Sequence, residues 1–456
     1  MDTEAAGNTR EPSRLDALVA ATPASRDRYV DLIRVVSIGV VVLGHWLMAV
    51  LGYRGGRFTG ENLLEIQPDL QILTWVFQVM PLFFIVGGFT NGTSWVSSRR
   101  RGQTYGRWLR MKAVRLTRPA LWFVAFWTVL PAAGVATGLL PSSVARAGGQ
   151  EVALPLWFLA VYLVAVAAVP ALHALHDRLG GWTVVALAAA ALVVDNLRFG
   201  ADVPHVGLAN YLIVWGAVLE LGFLWAEGRL RARAWLPWAM AAGGLAAMAV
   251  LVGGFDFPMS MIDLTHGIRN NVQPPSIVLL ALAVWQCGVT LLFEGAGNRA
   301  LARPRAWRDV IAANSMVMTF YLWNMSAVVL AAVLSFPTGI APQPEPLSRT
   351  WWLLRPAWVL VCAACLIPFL LAFRWTERPA PVRDMRSGPA GALVLAVLGT
   401  AATAGGLAVL AADAFPVPGE ERVVLTGAGV ALVAIGSLLL WVDPFAPLRG
   451  PRASDA

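Results

Sequence analysis

The chain has 456 residues, of which 57% are hydrophobic and 14% charged. A water-soluble domain carries about a quarter charged residues, so this composition excludes a soluble globular enzyme and points to an integral membrane protein with the lipid bilayer as its surroundings. In that setting the formal charge of +8 reads as basic cytoplasmic loops, and no nucleic-acid partner is expected.

The first 28 residues are polar, lack an apolar core and read as a disordered cytoplasmic tail, with no cleaved signal peptide. Twelve stretches then come near the roughly 20 apolar residues that a spanning helix needs. They are 30–51, 70–96, 119–139, 154–172, 181–197, 207–226, 234–254, 276–294, 310–335, 351–373, 389–412 and 422–441. The fold class expected is all-α, a polytopic transmembrane helix bundle. "HALHDRLGG" and "DAFPVPGEE" read as polar turns between spans. Most of the 35 Lys and Arg fall in "RRRGQTYGRWLRMKAVRLTR", "RLRAR", "RALARPRAWR" and "RWTERPAPVRDMR". If these lie inside, a plasma-membrane topology with both termini cytoplasmic follows. Residues 376–388 read as a cytoplasmic linker, 389–441 as two additional helices with a structural or oligomer-contact role, and 442–456 as a cytoplasmic tail.

The first span holds two residues at odds with hydrocarbon, Arg34 and His45. Eleven positions at about 100° each bring both to one helix face, about 16 Å apart along the axis. Arg34 can snorkel to the headgroups with Asp31 as partner. His45 lies too deep for that, and an intramembrane histidine facing a bundle interior is a functional candidate. One face with a cation and an imidazole suits a wet cavity.

Asp31-x-x-Arg34-x10-His45 resembles the signature of the acyltransferase-3 family of integral membrane acyltransferases. "FQVMPLFFIVGGF" (77–89), "RLTRPAL" with Arg115 and Arg118, "LPLWFLAVYL" (154–163) and "FYLWNMSAVVL" (320–330) resemble its second-, third-, fourth- and ninth-helix blocks. Two positions depart: Gly87-Gly88 stands where a serine is common first, and Asn324 follows Trp323 where a histidine is frequent. The resemblance covers residues 30 to about 373 and implies a ten-helix acyltransferase domain over 29–375. It also implies transfer of an acyl group from cytoplasmic acyl-CoA, a co-substrate with no permanently bound cofactor, to a hydroxyl. Acceptors would be a glycan, lipid or secondary metabolite, with O-acetylation of cell-envelope molecules as the type.

Under that reading Arg34, Arg115 and Arg118, with Asp31, bind the phosphorylated donor, since guanidinium forks match phosphate oxygens. The alternative for Arg115 and Arg118 is plain positive-inside bias. His45 is the general base. Asn324 either orients it, donates to the oxyanion, or makes an ordinary interhelical hydrogen bond. Glu220 is expected to pair with an arginine and Trp157 to lend support; most other tryptophans read as interfacial anchors. Asp195 and Asn196 face either an acceptor or the surface. His173 and His176 fall in a turn, His205 and His266 in loops, none at metal-ligand spacing, so no metal is expected. Cys287, Cys362 and Cys365 read as small buried hydrophobes. The competing reading is a secondary transporter or lipid exporter, with Arg34, Glu220 and His45 lining its path.

Overall fold

The computed structural model describes residues 26–264, 269–378 and 388–442, together with Val19, Thr22 and Pro23. Most of both expected tails, most of the expected linker and His266 lie outside the described residues. Twelve helices are long and apolar enough to cross a membrane: α1 (Arg28–Met48), α2 (Met80–Arg100), α3 (Tyr105–Ala136), α4 (Leu156–Leu179), α5 (Trp182–Phe199), α6 (Asn210–Ala226), α7 (Leu236–Gly254), α8 (Ile277–Leu301), α9 (Val317–Ser335), α10 (Arg349–Phe373), α11 (Gly388–Asp413) and α12 (Val423–Trp441). The protein is an all-α, multi-pass membrane bundle.

Several local expectations change. α1 stops at Met48, three residues after His45. The chain then turns through an antiparallel hairpin, β1 (Ala49–Arg54) and β2 (Arg57–Asn62), joined at Gly55-Gly56. Two glycines with positive φ give such a tight turn its twist, a signal that hydropathy does not register. The third span begins at Tyr105, because Thr104 caps the helix by accepting from the Arg107 N–H. From Tyr105 on, the basic run that read as a loop is thus the first four turns of α3. The stretch 310–335 divides at Ser315–Met316 into a short helix, Pro304–Asn314, and α9. "HALHDRLGG" is also mostly helix: α4 runs on to Leu179 and ends at Gly180, whose φ is +55°. At the N-terminal end, Asp27 caps α1 by accepting from the Tyr29 and Val30 N–H groups, so the expected tail becomes ordered by then.

Lipid offers no hydrophobic drive for helices to associate, so close packing through small residues does that work. A Cβ on Gly88 would lie 2.1 Å from the Leu219 carbonyl oxygen, and one on Gly222 would lie 2.1 Å from that of Ile85. α2 and α6 therefore touch backbone to backbone. The last two helices join the wall of the bundle. A Cβ on Gly106 would meet Leu393 Cα at 2.7 Å, seating α11 on α3. Arg110 of α3 donates to the Leu440 and Trp441 carbonyls at 2.6 and 3.1 Å, fastening the end of α12. The anchor expectation for tryptophan suits exposed Trp182, Trp235 and Trp238. It fails for Trp108, Trp215, Trp225 and Trp323, which fill the core.

Gly88→Ala should therefore be poorly tolerated, with a loss of about 1–3 kcal/mol or more from overpacking. Gly39→Ala, where no heavy atom lies within 4 Å of the added Cβ, should leave stability near the parent. Thermal unfolding in detergent compares the two.

Candidate active site

α1 and α9 place His45 against Asn324. His45 Nδ1 lies 3.0 Å from Asn324 Oδ1, and Asn324 Nδ2 donates to the Tyr321 carbonyl at 2.5 Å. The second bond fixes the first. A carbonyl oxygen can only accept, so the amide NH2 faces Tyr321 and the amide oxygen faces the ring. His45 Nδ1 must then carry the proton it shares with Oδ1, which leaves Nε2 with its lone pair. Trp46, the next residue, donates from Nε1 to the Asn324 backbone carbonyl at 3.1 Å. The amide is thus held at its main chain and its side chain, and it is fully buried.

Arg34 sits toward the other end of the same helix. Its guanidinium bonds Asp31 at 3.3 Å, and Asp31 also accepts from Arg26 at 2.5 Å. Arg34 and His45 are both partly buried, and each keeps accessible surface. Lys112 and Arg115 of α3 lie close enough for their charges to act on Arg34, as does the Tyr162 hydroxyl of α4. Lys112 also lies over the Trp108 ring at 5.8 Å. Among the described residues, Lys112 and Arg115 form no salt bridge; Asp31 is taken by Arg34 and Arg26, and the Glu377 carboxylate acts on Arg115 from a distance.

Sequence reasoning missed Lys112 and Tyr162. Lys112 lies three residues before Arg115 and hence on the same face of α3, a signal obscured by treating that run as a loop. Tyr162 fills the space that Gly87 leaves: a Cβ there would lie 2.8 Å from its hydroxyl, which accepts from Asn91 Nδ2 at 3.2 Å. The departure at Gly87 is therefore a packing exchange. Tyr162 continues an aromatic wall with Phe83, Phe84, Phe158 and Tyr321. Trp157 is half-buried and touches this wall edge-on through Phe158, with centroids 6.3 Å apart.

Other expected site residues go elsewhere. Arg118 donates to the Arg378 carbonyl at 3.0 Å and lies over Trp375, directed at the turn after α10. Among the described residues Glu220 forms no salt bridge with an arginine; its partner is His176 Nδ1, and His176 Nε2 meets Glu227 at 2.9 Å. The helical continuation of α4 brings His176 there. Asp195 is buried rather than at the surface or facing an acceptor. It accepts from Asn210 at 2.9 Å and from the Ile277 N–H at 2.8 Å, holding the start of α8. An apolar cleft of about 230 Å³ between α4 and α6 is lined by Ala165, Ala168, Leu172, Trp215 and Gly216 among others, and by none of the charged groups above. Among the described residues, no three His, Cys, Asp or Glu side chains are grouped to hold a metal ion.

Comparison with known protein families matches an acyltransferase domain to residues 27–374, about three quarters of the chain. The chain belongs to the acyltransferase-3 family. Arg34, His45, Lys112, Arg115, Tyr162 and Asn324 all fall inside the matched stretch. Among curated proteins, it is similar to the Na(+)/H(+) antiporter NhaA 2 of Mycobacterium sp. (strain JLS), 28% identical over 172 residues. That likeness covers 36% of this chain and 37% of the antiporter, so the chain spans little more than a third of that curated relative. No solved structure matches.

Replacing His176 with Ala should strand the Glu220 carboxyl inside the bundle and cost about 3 kcal/mol. Asp177→Ala, which removes an exposed partner of Arg99 and His173, should cost well under about 1 kcal/mol. Chemical denaturation in mild detergent measures both.

Proposed function

We propose that this protein is an O-acyltransferase that takes an acyl group from acyl-CoA at its basic end and delivers it to a hydroxyl near His45. The observation that carries this reading is the Asn324-held imidazole with Nε2 left basic, on the helix face that bears Arg34 three turns away. The basic end would face the cytoplasm of a plasma-membrane protein, in keeping with the concentration of arginine there.

The donor's phosphates would meet Arg34 and Lys112, both partly buried, and the exposed Arg115, with Asp31 as the carboxylate bonded among them. An anion there relieves mutual repulsion as well as gaining charge-assisted hydrogen bonds. Asp31 serves by setting the Arg34 guanidinium. Arg118, engaged with the turn after α10, would act on the donor's surroundings more than on its phosphates. The pantetheine arm has about the length of the Arg34–His45 separation, roughly 16 Å, and would bring the thioester carbonyl to the imidazole. The bulk of the aromatic wall of Phe158 and Tyr162 beside that path would favour acetyl or another short acyl group.

In the reaction, His45 Nε2 removes the proton of the acceptor hydroxyl as the oxygen attacks the thioester carbonyl. Collapse of the tetrahedral intermediate breaks the C–S bond, and the imidazolium returns its proton to the departing thiolate. Asn324 Oδ1 holds the tautomer and stabilises the imidazolium. Its amide NH2 is turned toward Tyr321, which supports the orienting role over the oxyanion role. The acceptor would be a glycan, a lipid or a secondary metabolite of the cell envelope.

A second reading, ion or proton translocation, draws on the partial likeness to an antiporter and on the intramembrane Glu220–His176 pair. Consumption of an acyl thioester by the purified protein separates the two, since a transporter would leave the thioester intact.

His45→Ala should lower kcat by about 10³-fold and Asn324→Ala by about 10²-fold, in the range of general-base catalysis. Lys112→Ala and Arg115→Ala should each raise the donor KM by about 10-fold, the scale of one charge-assisted hydrogen bond, with kcat nearly unchanged. Steady-state release of free thiol with acetyl-CoA as donor measures all four.

A further inference from the structure

Glu377 lies three residues beyond the stretch matched by the family and closes the short turn Arg374–Glu377 that follows α10. Its carboxylate reaches the first turn of α9. It accepts from the Met318 N–H at 3.1 Å, the Thr319 N–H at 2.7 Å and the Thr319 hydroxyl at 2.5 Å. The opening N–H groups of a helix have no partner within it and carry the positive end of its dipole. A residue at the cap normally answers both needs, but Met316 has no oxygen on its side chain to do so. α9 therefore takes its cap from a different helix.

The same turn is tied to α3. Arg118 holds the Arg378 carbonyl and lies 5.5 Å from the Trp375 ring centre, while the charge of Arg115 acts on Glu377. Five residues on from Thr319, about 7.5 Å along α9, stands Asn324 with its bond to His45. One short segment thus lies within range of the Arg115 charge on one side and bonds the helix that aims the imidazole on the other.

We infer that residues 374–378 form a strap that relays donor binding to His45, with Glu377 as a positioning residue. The inference rests on the acyl-CoA reading of the basic end. Glu377 bonds the start of α9 while the charge of Arg115 draws on the same carboxylate. Donor phosphates on Arg115 replace Glu377 as that cation's counter-charge, and the carboxylate's hold on the Met318 and Thr319 N–H groups strengthens. The first turn of α9 tightens, and Asn324 is set in register against the ring.

The test is hydrogen exchange at the Met318 and Thr319 amides of the full chain in detergent, with coenzyme A as the probe, beside kinetics with acetyl-CoA. In the parent protein coenzyme A should slow exchange there several-fold; in Glu377→Gln it should not, although coenzyme A still binds by calorimetry. Glu377→Gln should lower kcat at least 10-fold with the donor KM within 2-fold, and Glu377→Asp should recover part of the loss. Joined to Asn324→Ala it should add little, as expected of residues acting through one path. Unchanged exchange at α9 despite measured binding, or fully additive effects, overturns the strap while leaving acyl transfer standing. If the parent neither binds coenzyme A nor consumes the thioester, the donor reading falls and takes the strap with it.

Discussion

The hydrogen bond between His45 and Asn324 is the constraint around which the rest of the site is arranged. An imidazole within an apolar bundle has two nitrogens of opposite character, and only a partner of fixed polarity decides which is which. A second histidine could exchange roles with the first, whereas an amide whose NH2 is committed to the Tyr321 carbonyl cannot. Much of α9 serves this end: its buried face, the bond from Trp46 to its main chain and the carboxylate at its first turn all limit how far Asn324 can move.

The opposite end of α1 works by excess. Arg34 and Lys112 are partly buried and the exposed Arg115 stands beside them, with less negative charge nearby than positive. Such a grouping is unfavourable by itself and becomes favourable only with an anion present. Tyr162 stands between the cations and the aromatic wall. Under the proposed reading, depth along one helix would separate two chemistries, recognition of charge at one end and proton transfer at the other.

The twelve spans were legible because a bilayer imposes a length and a hydropathy that few other environments require. The meeting of His45 and Asn324 was legible for a related reason: rise per residue converts sequence position into depth, and two polar residues at one depth in an apolar bundle seek each other. Depth alone was a poor guide to Glu220. It lies near a histidine hidden in a run whose polar letters resembled a turn, when in fact α4 keeps its apolar face inward through Leu172 and His176. The basic run before Arg115 misled in the same manner, so Lys112 went unnoticed. The β-hairpin carries too few residues for a periodic signal. Glu377 had no local signal at all, because its partners are 58 and 59 residues away in the chain.

The hold of Arg110 on the Leu440 and Trp441 carbonyls makes the last two helices more than a lining. The arginine is buried, and the carbonyls at the end of α12 are acceptors it draws on. Severing α12 would take them away from a cation seated in α3, so damage at one extremity of the chain is felt at its third helix.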